Sequence, residues 1–229
     1  MRKGEEKRQE ILRAAETLFY QKGYDETSVQ DILDVLHTSK GSFYHHFESK
    51  DSVLETLCTA RAAEARGELD RALQQIHHPL ERLDAVFRWF IPLRMDHAAF
   101  LRLMLPLLFR PEGRAVRVCF SSALEAAFLP ILQDEIYAAS LSGVVFPPPG
   151  ERVSVIIAHL LNDGWMHVAA SMLEKSSDGG AFTADDRLKA LETYRRVLER
   201  ILDAPYGCFE LVKLEEWHAL YRMLQQGMT

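Results

Sequence analysis

The sequence predicts an all-α protein in which a small three-helix unit precedes a larger helical body. Three observations lead there: apolar residues recur at helical spacing along nearly the whole chain, no alternating run of strand length occurs, and the breaks between periodic stretches carry cap residues. With 229 residues, 48% of them hydrophobic and 26% charged, the chain is long enough for one or two domains with a buried core. A mean hydropathy of -0.13 and this composition exclude disorder as a global description.

The first stretch, residues 5–22, sets Ile11, Ala15, Leu18 and Phe19 on one face, and Gly23 stops it. Asp25 to Thr27 make a short connection, and Thr27 serves as the predicted N-cap of a second helix with Val29, Ile32, Leu33 and Leu36 on its stripe. A break at His37-Thr38 leads to a third helix, capped by Ser39 and running to about Phe47; Ser49 caps the next, long and mostly polar, to about Gln75. The His77-His78-Pro79 break precedes the stripe Leu80, Leu83, Phe87, Phe90, and Pro92 and Pro106 are expected to interrupt or kink the chain beyond it. Further helices are predicted over 96–110, 112–140 and 151–174, with the proline-rich loop 142–150 between the last two. A flexible KSSDGG link at 175–180 leads to a helix from the Thr183/Asp186 capping box to about Asp203, and a last helix covers about 206–226.

The longest uninterrupted apolar stretch, Leu103 to Phe109, falls well short of the roughly 18–20 residues that cross a bilayer, so no membrane partner is expected. The charged start MRKGEEKRQE lacks the apolar run of a secretory signal, which leads us to expect a cytoplasmic protein. Cys58, Cys119 and Cys208 have neither zinc-site spacing nor the density of a disulfide framework, and are expected to pack as small hydrophobes. The net charge of -6 argues against a protein that coats nucleic acid non-specifically. Residues 1–50 hold eight Lys and Arg against nine Asp and Glu, so any DNA contact there must come from placed cations.

Short second and third helices joined by a tight turn form a helix-turn-helix pattern. Its chemistry lies in Thr38-Ser39-Lys40-Gly41-Ser42-Phe43-Tyr44-His45-His46-Phe47. Phe43 and Phe47 anchor one face, while Ser39, Lys40, Ser42, Tyr44 and His45 offer hydroxyls, a cation, a phenol and an imidazole suited to phosphates and base edges. Thr27 and Ser28 before the second helix, and Lys50 at the start of the fourth, add donors suited to a phosphate oxygen.

From about Lys7 to Leu54, ILRAAETLFYQKGYDETSVQDI followed by TSKGSFYHHFESKDSVL closely resembles the DNA-binding domain of the TetR family of bacterial transcriptional regulators. The resemblance implies a homodimer with a DNA-reading domain, residues 1–50, and an all-α domain, residues 51–229, that binds a small effector and forms the dimer interface. It further implies that Thr27, Tyr44, His45 and Lys50 hold the DNA backbone, and that Ser39, Lys40 and Ser42 lie where the recognition helix meets the groove. Where the family usually has glycine in the turn, this sequence has His37, which a left-handed backbone tolerates at some cost. His46 is expected to pack or cap.

In the larger part, Trp89, Phe90, Met95, Phe100, Met104, Phe120 and Phe128 form an aromatic and methionine concentration that suits either a filled core or a mostly apolar effector cavity. His159, Asp163 and His167 share a face of one helix with Trp165 beside them. The outer two lie about 12 Å apart, too far for one ion to take all three, so polar cavity lining or an interface competes with a two-ligand metal site. Val155, Asn162 and Met166, with Leu191, Tyr194 and Leu198 on the next helix, form apolar stripes that suit packing within one chain, while the resemblance implies that this helix pair builds a four-helix dimer interface. No metal and no cofactor is expected. With no Gly-rich phosphate loop, HExxH or GxSxG, an enzyme is a weak alternative, and a protein-binding adaptor is another. The expected protein is a ligand-responsive regulator, a repressor released from a palindromic operator by a small apolar effector.

Overall fold

The computed structural model describes residues 3–94, 97–109, 114–150, 152–173 and 183–225. Met95 and the KSSDGG link lie outside them. Among the described residues the secondary structure is helical throughout: α1 Lys3–Lys22, α2 Val29–Leu36, α3 Lys40–Tyr44, α4 Lys50–Leu73, α5 Pro79–Phe90, α6 Ala98–Phe109, α7 Arg114–Leu141, α8 Val153–Leu173, α9 Ala184–Ile201 and α10 Leu214–Gln225.

The N-terminal unit closes around residues the periodicity selects. Ile11, Ala15 and Phe19 of α1, Ile32 and Leu33 of α2, and Phe43 and Phe47 around α3 are all buried. Ser28, not Thr27, caps α2: its hydroxyl oxygen accepts the Asp31 N–H at 3.1 Å, and Asp31 accepts the Ser28 N–H at 2.7 Å, a complete capping box. Thr27 is buried, its hydroxyl donating to the Gly23 carbonyl at 2.7 Å, where it ties off the end of α1. The third helix is shorter than its sequence suggests, ending at Tyr44, and Phe47 reaches the core from the turn beyond it. His37 adopts the left-handed conformation, φ 48 and ψ 45, and its N–H together with that of Thr38 satisfies the last carbonyls of α2.

The larger part is built on α4 and α7. α7, 28 residues and about 42 Å long, packs against α4, α5, α6 and α8. Its segment Val116–Leu141 is long and apolar enough to cross a membrane by length and composition, a candidate that a search for uninterrupted apolar runs passes over. In the fold that composition serves packing: Phe120, Leu124, Phe128 and Leu132 are buried, and Glu135 is buried in an ion pair. Arg82 of α5 makes that pair, donating to Glu135 at 2.9 and 2.5 Å and to the Leu73 and Ile76 carbonyls at 2.7 and 3.0 Å. One guanidinium thereby joins the end of α4, the start of α5 and the C-terminal part of α7. α6 continues through Pro106, which sits inside the helix rather than interrupting it.

α8 lies against α9, where Gly164 takes the Tyr194 ring on its face; a Cβ there would meet the ring at 3.0 Å. Leu191 and Leu198 are buried within the chain, so these two, expected at a dimer interface, join α9 to its own neighbours. The last helix begins at Leu214 rather than near 206, because Gly207 (φ 77) and Leu211 (φ 59) hold the preceding segment in left-handed turns. That segment is tied to α5 by Asp84, which accepts the Glu210 N–H at 2.8 Å.

Two outcomes are expected in denaturant titrations. Arg82→Ala removes one partner of a buried pair and should lower unfolding stability by about 2–3 kcal/mol; a change below about 0.5 kcal/mol would contradict its bridging role. His37→Gly should raise stability by about 0.5–1 kcal/mol by relieving left-handed strain, whereas a fall would mean that the histidine ring supplies a compensating contact.

Candidate nucleic-acid interface and interior cavity

α3 is oriented by the two ends of its own segment. The left-handed His37 redirects the chain after α2, Ser39 caps α3 by accepting the Ser42 N–H at 3.3 Å, and buried Phe43 and Phe47 hold one side down. The opposite side, Ser39, Lys40, Tyr44 and His45, is exposed, and Ser42 is half-exposed. Tyr44 stands with 55% of its surface free, its ring edge-on to Phe43 at 5.4 Å. Ser28 is also exposed, though its hydroxyl already donates to Asp31 at 2.6 Å. The Lys22 ammonium 2.7 Å away and these Ser28 bonds hold the Asp31 carboxyl well below the usual range, so it remains an anion that fixes the cap. His46 is half-buried with its ring 4.9 Å from that of His45.

Lys50 and Thr27 are placed differently from this set. The Lys50 ammonium donates to the carbonyls of Tyr24 at 2.7 Å and Thr27 at 2.8 Å, and stands 4.2 Å from the centre of the Tyr24 ring. Burial pushes its pKa below the ordinary lysine value. The Tyr24 hydroxyl in turn donates to Asp51. The cation therefore faces inward, fastening the α1–α2 connection to the start of α4, and the buried Thr27 hydroxyl serves the same connection. Sequence spacing indicates the residue type at 50 but not its direction, since its acceptors lie 23 and 26 residues away.

The aromatic concentration divides between core and cavity. Phe90, Met104, Phe128 and Trp165 are fully buried; Phe90 packs on Phe128 at 5.8 Å, and the Trp165 N–H donates to Asn162 at 3.1 Å. They fill space rather than line it. Trp89, Phe100 and Phe120 do line a chamber of about 90 Å³, together with Tyr20, Arg61 and Leu124, three residues that nothing in the sequence pattern singles out for that place. The Trp89 indole N–H is buried there without an acceptor among the described residues. Arg61 donates to Glu16 of α1 at 2.5 Å and to Glu64 at 2.7 Å, so one wall of the chamber is tied to the first helix. Burial and the nearby Glu16 push the Tyr20 phenol up to about 12. A larger open cleft, about 660 Å³, lies between the end of α1 and α6, bordered by Tyr20, Tyr24, Glu26, Arg102 and Pro106.

His159, Asp163 and His167 are all on the exposed side of α8, away from the chamber. His159 faces Glu125 at 3.5 Å and Asp163 accepts the Tyr194 hydroxyl at 2.5 Å, so the expected cavity lining by His159 and Asp163 gives way to separate surface pairings. Among the described residues no three His, Cys, Asp or Glu side chains come together as a metal site. Val155, Asn162 and Met166 are half-buried on that same side, with Ile156 half exposed beside them.

Residues 11–57 match the family model described as bacterial regulatory proteins, tetR family. The chain is 35% identical over 81 residues to the HTH-type transcriptional repressor KstR2 of Mycolicibacterium smegmatis, covering 35% of this chain and 40% of that protein. It is 36% identical over 92 residues to an uncharacterized HTH-type transcriptional regulator of Lactococcus lactis, covering 40% and 45%. The matched stretch thus spans less than half the length of these curated relatives. Over the whole fold, the chain is similar to the crystal structure of Thermus thermophilus FadR, a TetR-family transcriptional repressor in complex with lauroyl-CoA, with a TM-score of 0.60, 26% identity, and 87% of this chain and 100% of that one covered. RolR in complex with resorcinol shares the fold at a TM-score of 0.57 and 13% identity, covering 98% and 95%. A reader unit with its recognition surface exposed, a matching family model over that unit, and a fold similar to TetR-family structures over most of its length show that residues 11–57 resemble the DNA-binding domain of bacterial regulatory proteins of the TetR family, joined to an all-α body of TetR-like fold.

Proposed function

We propose that this chain is a homodimeric repressor that holds an inverted-repeat operator and releases it when a small, mostly apolar effector enters the chamber between α4 and α7. The observation that carries the reading is the surface of α3: a cation, a phenol, an imidazole and two hydroxyls face solvent from a helix fixed by two buried phenylalanines and a left-handed turn. Lys40, Tyr44 and His45 serve the phosphate backbone or the base edges, with Ser39, Ser42 and Ser28 as shorter-range partners. Thr27 and Lys50 act one step back, by positioning the α1–α2 connection. The setting is the bacterial cytoplasm, where the DNA is.

The outer side of α8 supports the dimer. Val155, Ile156, Asn162 and Met166 leave apolar surface uncovered beside His159 and His167, and Tyr194 and Val197 of α9 extend it. A two-fold axis there sets two α3 helices one DNA turn apart, which is what an inverted repeat requires.

The effector class follows from the lining. Trp89, Phe100, Phe120 and Leu124 suit an apolar body, and the Trp89 N–H, without an acceptor among the described residues, suits one acceptor on it. At about 90 Å³ the chamber is smaller than the roughly 150 Å³ engineered cavity that accepts benzene, so a ligand with a long acyl chain, such as the lauroyl-CoA bound by the Thermus protein, needs α5 or α6 to move aside. That movement is the release step. The chamber wall contains Tyr20 of α1 and Arg61 of α4, so a ligand that displaces them shifts the reader relative to the body and lowers its fit to successive major grooves.

Selection of bound duplexes from a random library at about 0.15 M salt, with wild type and Tyr44→Ala in parallel, tests the reading. Wild type should recover an inverted repeat, and Tyr44→Ala should bind that repeat about tenfold more weakly. Recovery of no sequence, or of a single half-site, would remove the dimeric operator from the proposal. On the recovered duplex, Lys50→Ala should lower both Tm and affinity while leaving the slope of log affinity against log salt unchanged; a slope smaller by about one per subunit would return Lys50 to the phosphate contacts.

A further inference from the structure

The cysteines of this chain differ in their surroundings. Cys58 of α4 is fully buried, Cys119 of α7 is half-buried, and Cys208 lies in the connection between α9 and α10. α4 and α7 pack along one another, and two contacts set their register. The Arg66 guanidinium donates to the Ala127 carbonyl at 3.2 Å, and two turns earlier on both helices Cys58 and Cys119 stand at the matching positions as neighbouring thiols. Each pair is separated by 61 residues, so the two helices run parallel and in step through this region. Between the two contacts α4 presents Ala62 and Ala65, both buried, and small side chains let the backbones come close. Close, in-step backbones are what a disulfide needs, because its Cα atoms must lie within about 4.4–6.8 Å.

We propose that Cys58 and Cys119 are an oxidative modification site, at which a peroxide closes an intramolecular disulfide that staples α4 to α7. The accessible member begins the reaction. The adjacent Cys58 thiol holds the Cys119 thiol below its ordinary pKa, while the neighbouring Cys119 and burial push Cys58 up. The Cys119 thiolate attacks one oxygen of hydrogen peroxide; the O–O bond breaks, hydroxide leaves and takes up a proton as water, and Cys119 becomes a sulfenic acid. Cys58 then attacks the Cys119 sulfur, releasing its own proton, and the sulfenic hydroxyl leaves as a second water. Two thiols and one peroxide give one disulfide and two waters, the two electrons passing from the sulfurs to the peroxide oxygens. Cys208 has no such partner, and burial pushes its thiol up to about 11, which leaves it the poorer nucleophile.

The staple sits where it controls movement. α4 begins with Lys50, which holds the reader's α1–α2 connection, and carries Arg61, which holds α1 through Glu16. Bonding α4 to α7 fixes the tilt of this helix against the body and so fixes the position of the reader. The disulfide itself does not depend on the proposed operator; only its effect on DNA binding does.

The test uses the reduced full-length chain, treated with a small excess of hydrogen peroxide, alkylated and examined by intact mass and peptide mapping. The expected product is lighter by two hydrogens, has the Cys58 and Cys119 peptides linked, leaves Cys208 alkylated, melts at higher temperature and reverts with dithiothreitol. Cys119→Ser should yield none of it, and because Cys119 is only half-buried this variant should fold. On the duplex recovered by selection, oxidation should change wild-type affinity by at least about fivefold, reversibly, and leave Cys119→Ser unchanged. Alkylation of both Cys58 and Cys119 after peroxide, or linkage through Cys208 or between chains, would overturn the site. A disulfide that forms without changing Tm or affinity would overturn the staple. A disulfide that forms in a protein binding no duplex supports the site and counts against the proposed function alone.

Discussion

The structure depends on one constraint, that α4 must satisfy two cores at once. A single helix of 24 residues, about 36 Å long, packs on α1 at one end and on α5 and α7 at the other. Its sequence shows the demand: Val53, Leu54 and Leu57 are buried near the reader, and Ala62, Ala65, Leu69 and Leu73 are buried in the body. Each end is also held by a cation that donates to backbone carbonyls, Lys50 to Tyr24 and Thr27, and Arg82 to Leu73 and Ile76 beside its bonds to Glu135. Cations used in this way are ties, and they define how far α4 can tilt. The expected division after residue 50 falls just inside α4, which begins at Lys50, and the packing of this helix runs across it.

This arrangement explains which parts of the molecule could be read in the sequence. Helix identity and most caps depend on neighbours within four residues, and there the residues are explicit: Ser39, Ser49 and Thr183 all cap the helices assigned to them. Even the exception is local. Thr27 with Gln30 and Ser28 with Asp31 are two overlapping capping-box patterns one residue apart. The second prevails because Asp31 is a carboxylate at a helix N-terminus that also meets Lys22, whereas Thr27 already serves the Gly23 carbonyl. The exposed α3 surface was legible for the same reason, since Phe43 and Phe47 four residues apart dictate which side remains free.

The direction of long side chains and the partner of an apolar stripe were not legible. Lys50 could point to phosphate or to carbonyls from the same backbone position, and only the fold brings Tyr24 beneath it. α8 and α9 carry apolar residues on more than one side, so a stripe alone does not separate an interface from a core. Leu191 and Leu198 prove internal while Val155 and Met166 stay partly open. The aromatic concentration of α5 to α7 was likewise ambiguous. Rings that meet edge-on, Phe90 with Phe128 and Phe120 with Trp165, occupy most of the volume that composition alone would assign to a ligand.

The space left open is small and sits at a consequential place. The chamber touches α1 through Tyr20, α4 through Arg61 and α7 through Phe120 and Leu124, so any occupant contacts both cores that α4 joins. Arg61 is already committed to Glu16 and Glu64, and an added anion there would face two carboxylates that hold the same guanidinium. A neutral ligand would leave those pairs intact and could offer an acceptor to the buried Trp89 N–H, which has none among the described residues, a cost of about 1–3 kcal/mol where a buried donor stays unpaired. These constraints are the ones that the proposed effector, an uncharged acceptor on an apolar body, would meet. In the proposed response, enlarging the chamber would move α4 or the helices packed on it, and the Lys50 tie to the α1–α2 connection would pass that movement to the reader.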